Sequence, residues 1–271
     1  MSEATRAGST RTDIVRQSVV IAAAVFMLIG ATVGGGAFGG APVNELQNGA
    51  LSAEGSYLAP AGPAFAIWTV IYIGLAGYTI WQALPAQRAD ARQRRAGWWI
   101  AGSMALNGLW LVAARFGTLL LTVLVIVALL AVLARIIILL GTSRAGNAVD
   151  RVLVDGTMGL HFGWVTIATV ANVAAWLSQL LPESFAEQAD VSGVAVLVVV
   201  TAIGIASALA TGRLSPAIAT AWGLAWLAVG RLTAEPDSTA IGVTAVAAAV
   251  LILAAGVYAA VRATPQRAAA R

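Results

Sequence analysis

Large aromatic side chains interrupt an otherwise apolar stretch, PAGPAFAIWTVIYIGLAGYTIW, which covers residues 60–81. In a helix successive residues lie about 100° apart, so Phe65, Trp68 and Tyr72 share one face. Flat rings on one face can stack on a flat apolar ligand, or they can pack against neighbouring helices. Packing is the commoner cause of such a stripe, so the pattern leaves both explanations open. Trp81 points nearly the opposite way, which is typical of a residue at the membrane interface.

An amide and a second tryptophan occur together in ALNGLW, residues 105–110. Asn107 is expected about ten residues into its helix, near the middle of a membrane at about 1.5 Å per residue. An amide in hydrocarbon needs a hydrogen-bond partner. That partner is either another helix or a polar atom of a mostly apolar ligand, with Trp110 one turn away.

The segment GLHFGWVTIATVANVAAW, residues 159–176, repeats this combination. Its candidate binding residues fall on one helical face, and they are His161, Trp164, Ala168 and Asn172. The small side chain of Ala168 leaves room on that face for a neighbour or a ligand. For His161 a hydrogen-bonded packing role is favoured, but a proton relay or an axial ligand stays open because ionisable groups inside membranes are often functional.

The composition excludes several kinds of chemistry. The chain has no cysteine and no lysine, and His161 is its one histidine. Disulfides, thiolate sites and a retinal Schiff base are therefore excluded. No Ser–His–Asp set or pair of acids points to hydrolysis, so we predict no catalytic residue, no metal site and, more plausibly than an enzyme, a binding protein. The sequence pI is about 10.3, but the arginines lie at helix ends, which argues against nucleic-acid binding.

These residues must be positioned by membrane helices. Of the 271 residues 59% are hydrophobic and 10% are charged, whereas about 25% charged residues is usual in soluble domains. Eight apolar segments are long enough to cross a bilayer. They lie at roughly 17–40, 64–84, 97–115, 117–141, 156–181, 191–211, 214–231 and 238–262. The predicted fold is an all-α, polytopic integral membrane helix bundle with about eight transmembrane helices in a lipid bilayer.

Arginine-rich and arginine-poor ends alternate along these segments. The rich ends include Arg6, Arg88, Arg144, Arg213 and Arg271, and the poor loops carry the acids Glu45, Glu54, Glu183 and Glu187. This is the positive-inside pattern for a protein with both termini in the cytoplasm, and we expect a bacterial inner membrane. Arg115 and Arg231 break the alternation, because both fall on the arginine-poor side.

Three motifs carry a family resemblance. AIWTVIY (66–72), ALNGLW (105–110) and GWVTIATVAN (163–172) occur in this order on the second, third and fifth segments. Together they resemble the TspO/MBR family of tryptophan-rich sensory proteins, over roughly residues 17–181. The resemblance implies a five-helix unit that binds porphyrins or other flat apolar ligands in a tryptophan-lined pocket. By motif, Trp68, Tyr72, Asn107, Trp164 and Ala168 match pocket positions of that family.

The chain also departs from the family pattern. Leu160 and His161 replace a Pro-Tyr pair, and Ile167 replaces the phenylalanine of a Phe-Ala-Thr triplet. Three segments follow the part that resembles the family. We therefore expect a TspO-like domain at 1–189 and a three-helix transmembrane extension at 190–271.

The function implied by the resemblance is a membrane receptor or carrier for a porphyrin, haem-type or other flat apolar ligand, with a sensory role and a homodimer as open options. The alternatives are an enzyme that promotes the degradation of bound porphyrin, a structural partner whose tryptophans only pack helices, and a small-solute permease built from all eight helices.

Overall fold

A computed structural model of the protein describes residues 9–36, 41–143, 145–182 and 188–268. Within these ranges the chain forms eight long helices and no strand. In chain order they are α1 (Arg11–Gly34), α2 (Ile67–Ala83), α3 (Ala91–Phe116), α4 (Leu119–Gly141), α5 (Thr157–Leu180), α6 (Ala189–Thr211), α7 (Leu214–Thr233) and α8 (Thr239–Ala268). The all-α prediction is confirmed. Arg6, Arg144, Glu183, Glu187 and Arg271, used in the charge argument, lie outside the described residues.

Two helices begin earlier than their apolar runs predict, because polar residues cap them. The Oγ1 of Thr10 accepts from the backbone N–H of Asp13 at 3.3 Å, and the Asp13 carboxylate accepts from the N–H of Thr10 at 2.9 Å. Before α3, the Asp90 carboxylate accepts from the N–H groups of Arg92 and Gln93, both at 2.9 Å. These side chains satisfy amides that have no partner inside the helix.

Six stretches of the described chain are long and apolar enough to cross a membrane. They contain α1, α2, α4, α5 and α6, and the part of α8 up to Ala263. The other two long helices, α3 and α7, carry tryptophans and arginines, and α3 also carries two amides, which lower their hydropathy. An integral membrane bundle is thus supported, while eight crossings and cytoplasmic termini stay predictions.

The first five helices surround one apolar core. Helix α1 packs along α3, α3 along α4 and α4 along α5, while α2 contacts both α1 and α5. The close approach of α1 and α3 depends on glycine, because a Cβ at Gly30 would lie 3.3 Å from the Cα of Gly108. This packing encloses the region where the candidate binding residues lie.

The last three helices form a second core on the outer side of α5. Helix α7 packs along α5 and α8, and α8 packs along α6. A Cβ at Gly163 would overlap the carbonyl oxygen of Pro216, so α5 and α7 touch through their backbones. Ile167 of α5 and Leu58 of the α1–α2 segment both belong to this second core. The predicted domain boundary near residue 189 stays a prediction.

From residue 41 onward, the segment between α1 and α2 folds into short turns rather than an open loop. Two 3₁₀ turns cover Val43–Glu45 and Gln47–Gly49, and a third, Gly62–Ala66, leads into α2. Pro63 opens this third turn, where a missing N–H costs no helical hydrogen bond. Phe65 therefore lies in a 3₁₀ turn before α2, and not in the α-helix that the sequence predicts from residue 64.

Candidate functional site

A cavity of about 540 Å³ lies among α1–α5 beneath the α1–α2 segment. Eight of the nine predicted site residues line it, and they are Phe65, Trp68, Tyr72, Asn107, Trp110, Trp164, Ala168 and Asn172. These side chains come from the 3₁₀ turn and from three helices that are distant in sequence. The structure therefore brings them to one place, and their role in binding stays a prediction.

Four aromatic rings form one wall of the cavity. Trp68 stacks on Tyr72, with ring centroids 5.2 Å apart and an angle of 23° between the planes. Trp164 meets Trp68 edge to face at 6.2 Å and Phe65 edge to face at 5.6 Å. Trp164 is almost fully buried, whereas Phe65 is 38% exposed. The stripe on α2 thus packs against α5 and lines the cavity at the same time, so the two explanations of the sequence pattern are compatible.

Asn107 is the polar point of this wall. Its Oδ1 accepts a hydrogen bond from the hydroxyl of Tyr72 at 3.2 Å, and the residue is only 3% exposed. Its amide nitrogen donates no hydrogen bond within the described part of the chain. Since Asn107 lines the cavity, this N–H₂ group can donate to an oxygen or nitrogen of a bound molecule.

Asn172 is used differently, because both ends of its amide already have protein partners. Its Oδ1 accepts from the indole N–H of Trp110 at 3.0 Å, and its Nδ2 donates to the Oγ1 of Thr122 at 3.0 Å. The Thr122 hydroxyl in turn donates to the carbonyl of Leu119 at 2.6 Å. This chain connects α5 to α3 and α4. Thr122 was not predicted from the sequence, where its only signal is a hydroxyl in a Leu- and Val-rich helix.

His161 does not line the cavity. It is fully buried, and its ring packs edge to face against Trp68 with centroids 5.8 Å apart. Neither ring nitrogen has a hydrogen-bond partner among the described residues, and the same holds for the indole nitrogen of Trp164. The hydrogen bond expected for a packing histidine is thus not found among the described residues, and the role of His161 stays a prediction. His161 therefore contacts a ring of the cavity wall without lining the cavity itself.

The α1–α2 segment supplies a part of the wall that the sequence analysis missed. Asn44, Ser52, Glu54 and Pro60 line the cavity from this side. Glu54 is the only acidic residue in the described lining, which contains no arginine or histidine. The interior is therefore mainly apolar, with a carboxylate on the covering segment. No group of three or more potential metal ligands occurs among the described residues.

One comparison with known proteins finds a match. A family model described as "TSPO-like protein" matches residues 18–258. The match includes α6, α7 and most of α8, which the sequence analysis treats as an addition to the family unit. No curated protein and no solved structure matches the chain.

Proposed function

We propose, for a chain that belongs to the TSPO-like protein family, that the cavity binds a flat, largely apolar ligand such as a porphyrin, and that the protein is a membrane receptor or carrier for it. The observation that carries this proposal is the aromatic wall, in which Phe65, Trp68, Tyr72 and Trp164 border one cavity. A sensory role would follow if the bound ligand alters contacts with a partner.

The size and chemistry of the cavity support a small-molecule ligand. Its volume of about 540 Å³ falls within the range of about 300–1,000 Å³ usual for such sites. Burial of apolar ligand surface contributes about 25 cal/mol per Å². Ring faces and edges add preferred stacking geometries. A flat conjugated ligand gains from both effects.

The polar groups favour a particular ligand chemistry. The free N–H₂ of Asn107 can orient a ligand through an acceptor atom, since its carbonyl oxygen is occupied by Tyr72. The carboxylate of Glu54 on the covering segment disfavours a negative charge nearby. The site is thus better suited to an uncharged ligand edge than to a free carboxylate at that side.

Titration of the purified protein in lipid nanodiscs with protoporphyrin and with its dimethyl ester tests the proposal. We expect saturable changes in porphyrin absorbance and quenching of tryptophan emission with both compounds. The ester separates the contribution of the flat ring from that of the carboxylates. Nonsaturable partitioning identical to that of empty nanodiscs would refute ligand binding.

The same titration distinguishes the enzymatic alternative. Light-dependent loss of the porphyrin spectrum that requires the protein would indicate degradation, whereas a stable spectrum supports a receptor or carrier. Uptake of a small solute into vesicles would indicate a permease. No feature of the described residues favours either alternative over binding.

A further inference from the structure

The two arginines that break the positive-inside pattern both donate hydrogen bonds to backbone carbonyls of the segment between α1 and α2. Arg115, at the end of α3, donates to the backbone carbonyl of Ala41 at 2.9 Å. Arg231, in the last turn of α7, donates to the carbonyls of Ala53 and Ser56, each at 3.2 Å. All three acceptors belong to the segment that joins α1 and α2. Both exceptions to the charge pattern are therefore used to hold this one segment.

Arg231 is a buried charged residue that donates to two carbonyls. Only 1% of the residue is exposed, and a buried guanidinium is costly unless acceptors surround it. The Ser56 carbonyl also accepts from the N–H of Ala59 at 3.2 Å, so Arg231 adds a second hydrogen bond there. Its Nη1 and Nη2 both donate to the segment, whereas its buried Nε has no partner among the described residues. The arginine thus stabilises one conformation of residues 53–56.

Three further contacts connect the same segment to the last three helices. The N–H of Ala61 donates to the carbonyl of Trp226 at 3.1 Å. The indole N–H of Trp222 donates to the carbonyl of Ala64 at 2.9 Å. Leu58 is buried in the core formed by α5–α8, near Ile241. The later part of the segment is thus built onto the last three helices.

The opposite side of this segment faces the cavity. Residues 50–54, 59, 60 and 62 border the cavity, and we call residues 50–62 the cap. The carbonyl of Ala53 therefore accepts a hydrogen bond from Arg231, and Ala53 also lines the cavity. A displacement of the cap would open the cavity even if α1–α5 kept their positions.

We propose that α7 positions the cap over the cavity, with Arg231 as the main positioning residue. The last three helices are then part of the binding unit, and they act without touching the ligand. This positioning role concerns the cavity of the proposed function, but it controls access to that cavity and not the choice of ligand.

The test uses the absence of cysteine from the chain. A single cysteine at Ala171, which lines the cavity, reports access through its rate of reaction with a water-soluble maleimide. We expect Arg231→Met to raise this rate several-fold, and Arg231→Lys to raise it less, since the ammonium can still donate to one carbonyl. Arg262→Met, which removes an exposed arginine of α8, is the matched control and should leave the rate unchanged.

Folding is monitored in each variant by helicity and by size-exclusion profile. If Arg231→Met does not fold, Arg231→Lys serves instead, because it keeps the positive charge but can donate to only one of the two carbonyls. An unchanged labelling rate in folded Arg231→Met, or in Arg231→Lys when the first variant is lost, would overturn the proposal.

Hydrogen exchange in the unaltered protein gives a second readout. The amide of Ala61 should be protected well above the level of freely exposed loop amides, because it is bonded to α7; exchange at the free rate would overturn the proposal. Neither readout requires a ligand. If porphyrin fails to bind but labelling responds to Arg231, the proposed function fails and the positioning role stands.

Discussion

Trp68 and Trp164 meet edge to face with their ring centroids 6.2 Å apart, and both line the same cavity. One ring belongs to α2 and the other to α5, so their contact connects two helices and shapes the binding wall. Trp68 is the centre of this arrangement, because it also contacts Tyr72 and His161.

The first prediction is that Trp68→Ala weakens porphyrin binding by about 1–3 kcal/mol, the loss typical of a truncated aromatic anchor. Trp98→Ala is the control, since Trp98 is 41% exposed and absent from the cavity lining. Trp81 is less suitable, because it packs partly against the five-helix core. Equal affinity of both folded variants for protoporphyrin, measured in nanodiscs, would show that the aromatic wall does not bind the ligand.

The second prediction separates the two asparagines. Asn172→Leu removes hydrogen bonds to Trp110 and Thr122, and each such bond inside a membrane contributes about 0.6–2 kcal/mol. It should therefore lower the midpoint of thermal unfolding more than Asn107→Leu does. Asn107→Leu removes one protein hydrogen bond and the free donor in the cavity, so it should lower ligand affinity more. The reverse order in both measurements would contradict these assignments.

The third prediction concerns Glu54. Its carboxylate lies on the cap, so Glu54→Gln should improve binding of protoporphyrin relative to its dimethyl ester. The gain in binding free energy should be modest, about 0.2–1 kcal/mol, because Glu54 is exposed to solvent. The positive charge of Arg231, which binds the same segment, also offsets part of the charge of Glu54. Competition between the two porphyrins measures the ratio directly. An unchanged ratio would place the porphyrin carboxylates away from the cap.

Much of the fold can be predicted from sequence, because long apolar runs specify helices without reference to their neighbours. Helical phase also groups Trp68 with Tyr72 and Trp164 with Ala168. Phase cannot reveal which helices become neighbours, so the contact between Asn172 and Thr122 was not predicted. It also cannot show that His161, which shares the face of Trp164, contacts Trp68 without lining the cavity.

The cap could not be predicted for a related reason. Its position depends on Arg231, which is separated from the cap by more than half the length of the chain. It also depends on backbone carbonyl groups, which no sequence pattern reveals. The charge pattern nevertheless marked Arg115 and Arg231 as exceptions. Arginines on the unfavoured side of a membrane have a cost, and here both donate to the backbone of the same segment.

The fourth prediction tests membrane topology. The arginine alternation predicts that the 85–96 segment and the C-terminus both lie in the cytoplasm. Reporter fusions at these two positions should therefore give cytoplasmic signals, and a fusion in the cap should give a periplasmic one. A periplasmic C-terminus would mean that either α3 or α7, the two less apolar helices, does not cross the membrane.

The fifth prediction concerns removal of residues 190–271. The five remaining long helices keep their own core around Ile71, Ile100 and Leu133, so we expect the shortened chain to insert and to remain helical. The cap would lose Arg231, the carbonyl of Trp226 and the core around Leu58. The truncated protein should therefore label faster at a cysteine placed at Ala171 and release bound porphyrin faster than the full chain.

Slow labelling and unchanged release would show that the cap holds its position without α7. Aggregation of the shortened chain would instead show that α5 requires its contact with α7 through Gly163, and that the eight helices form a single folding unit.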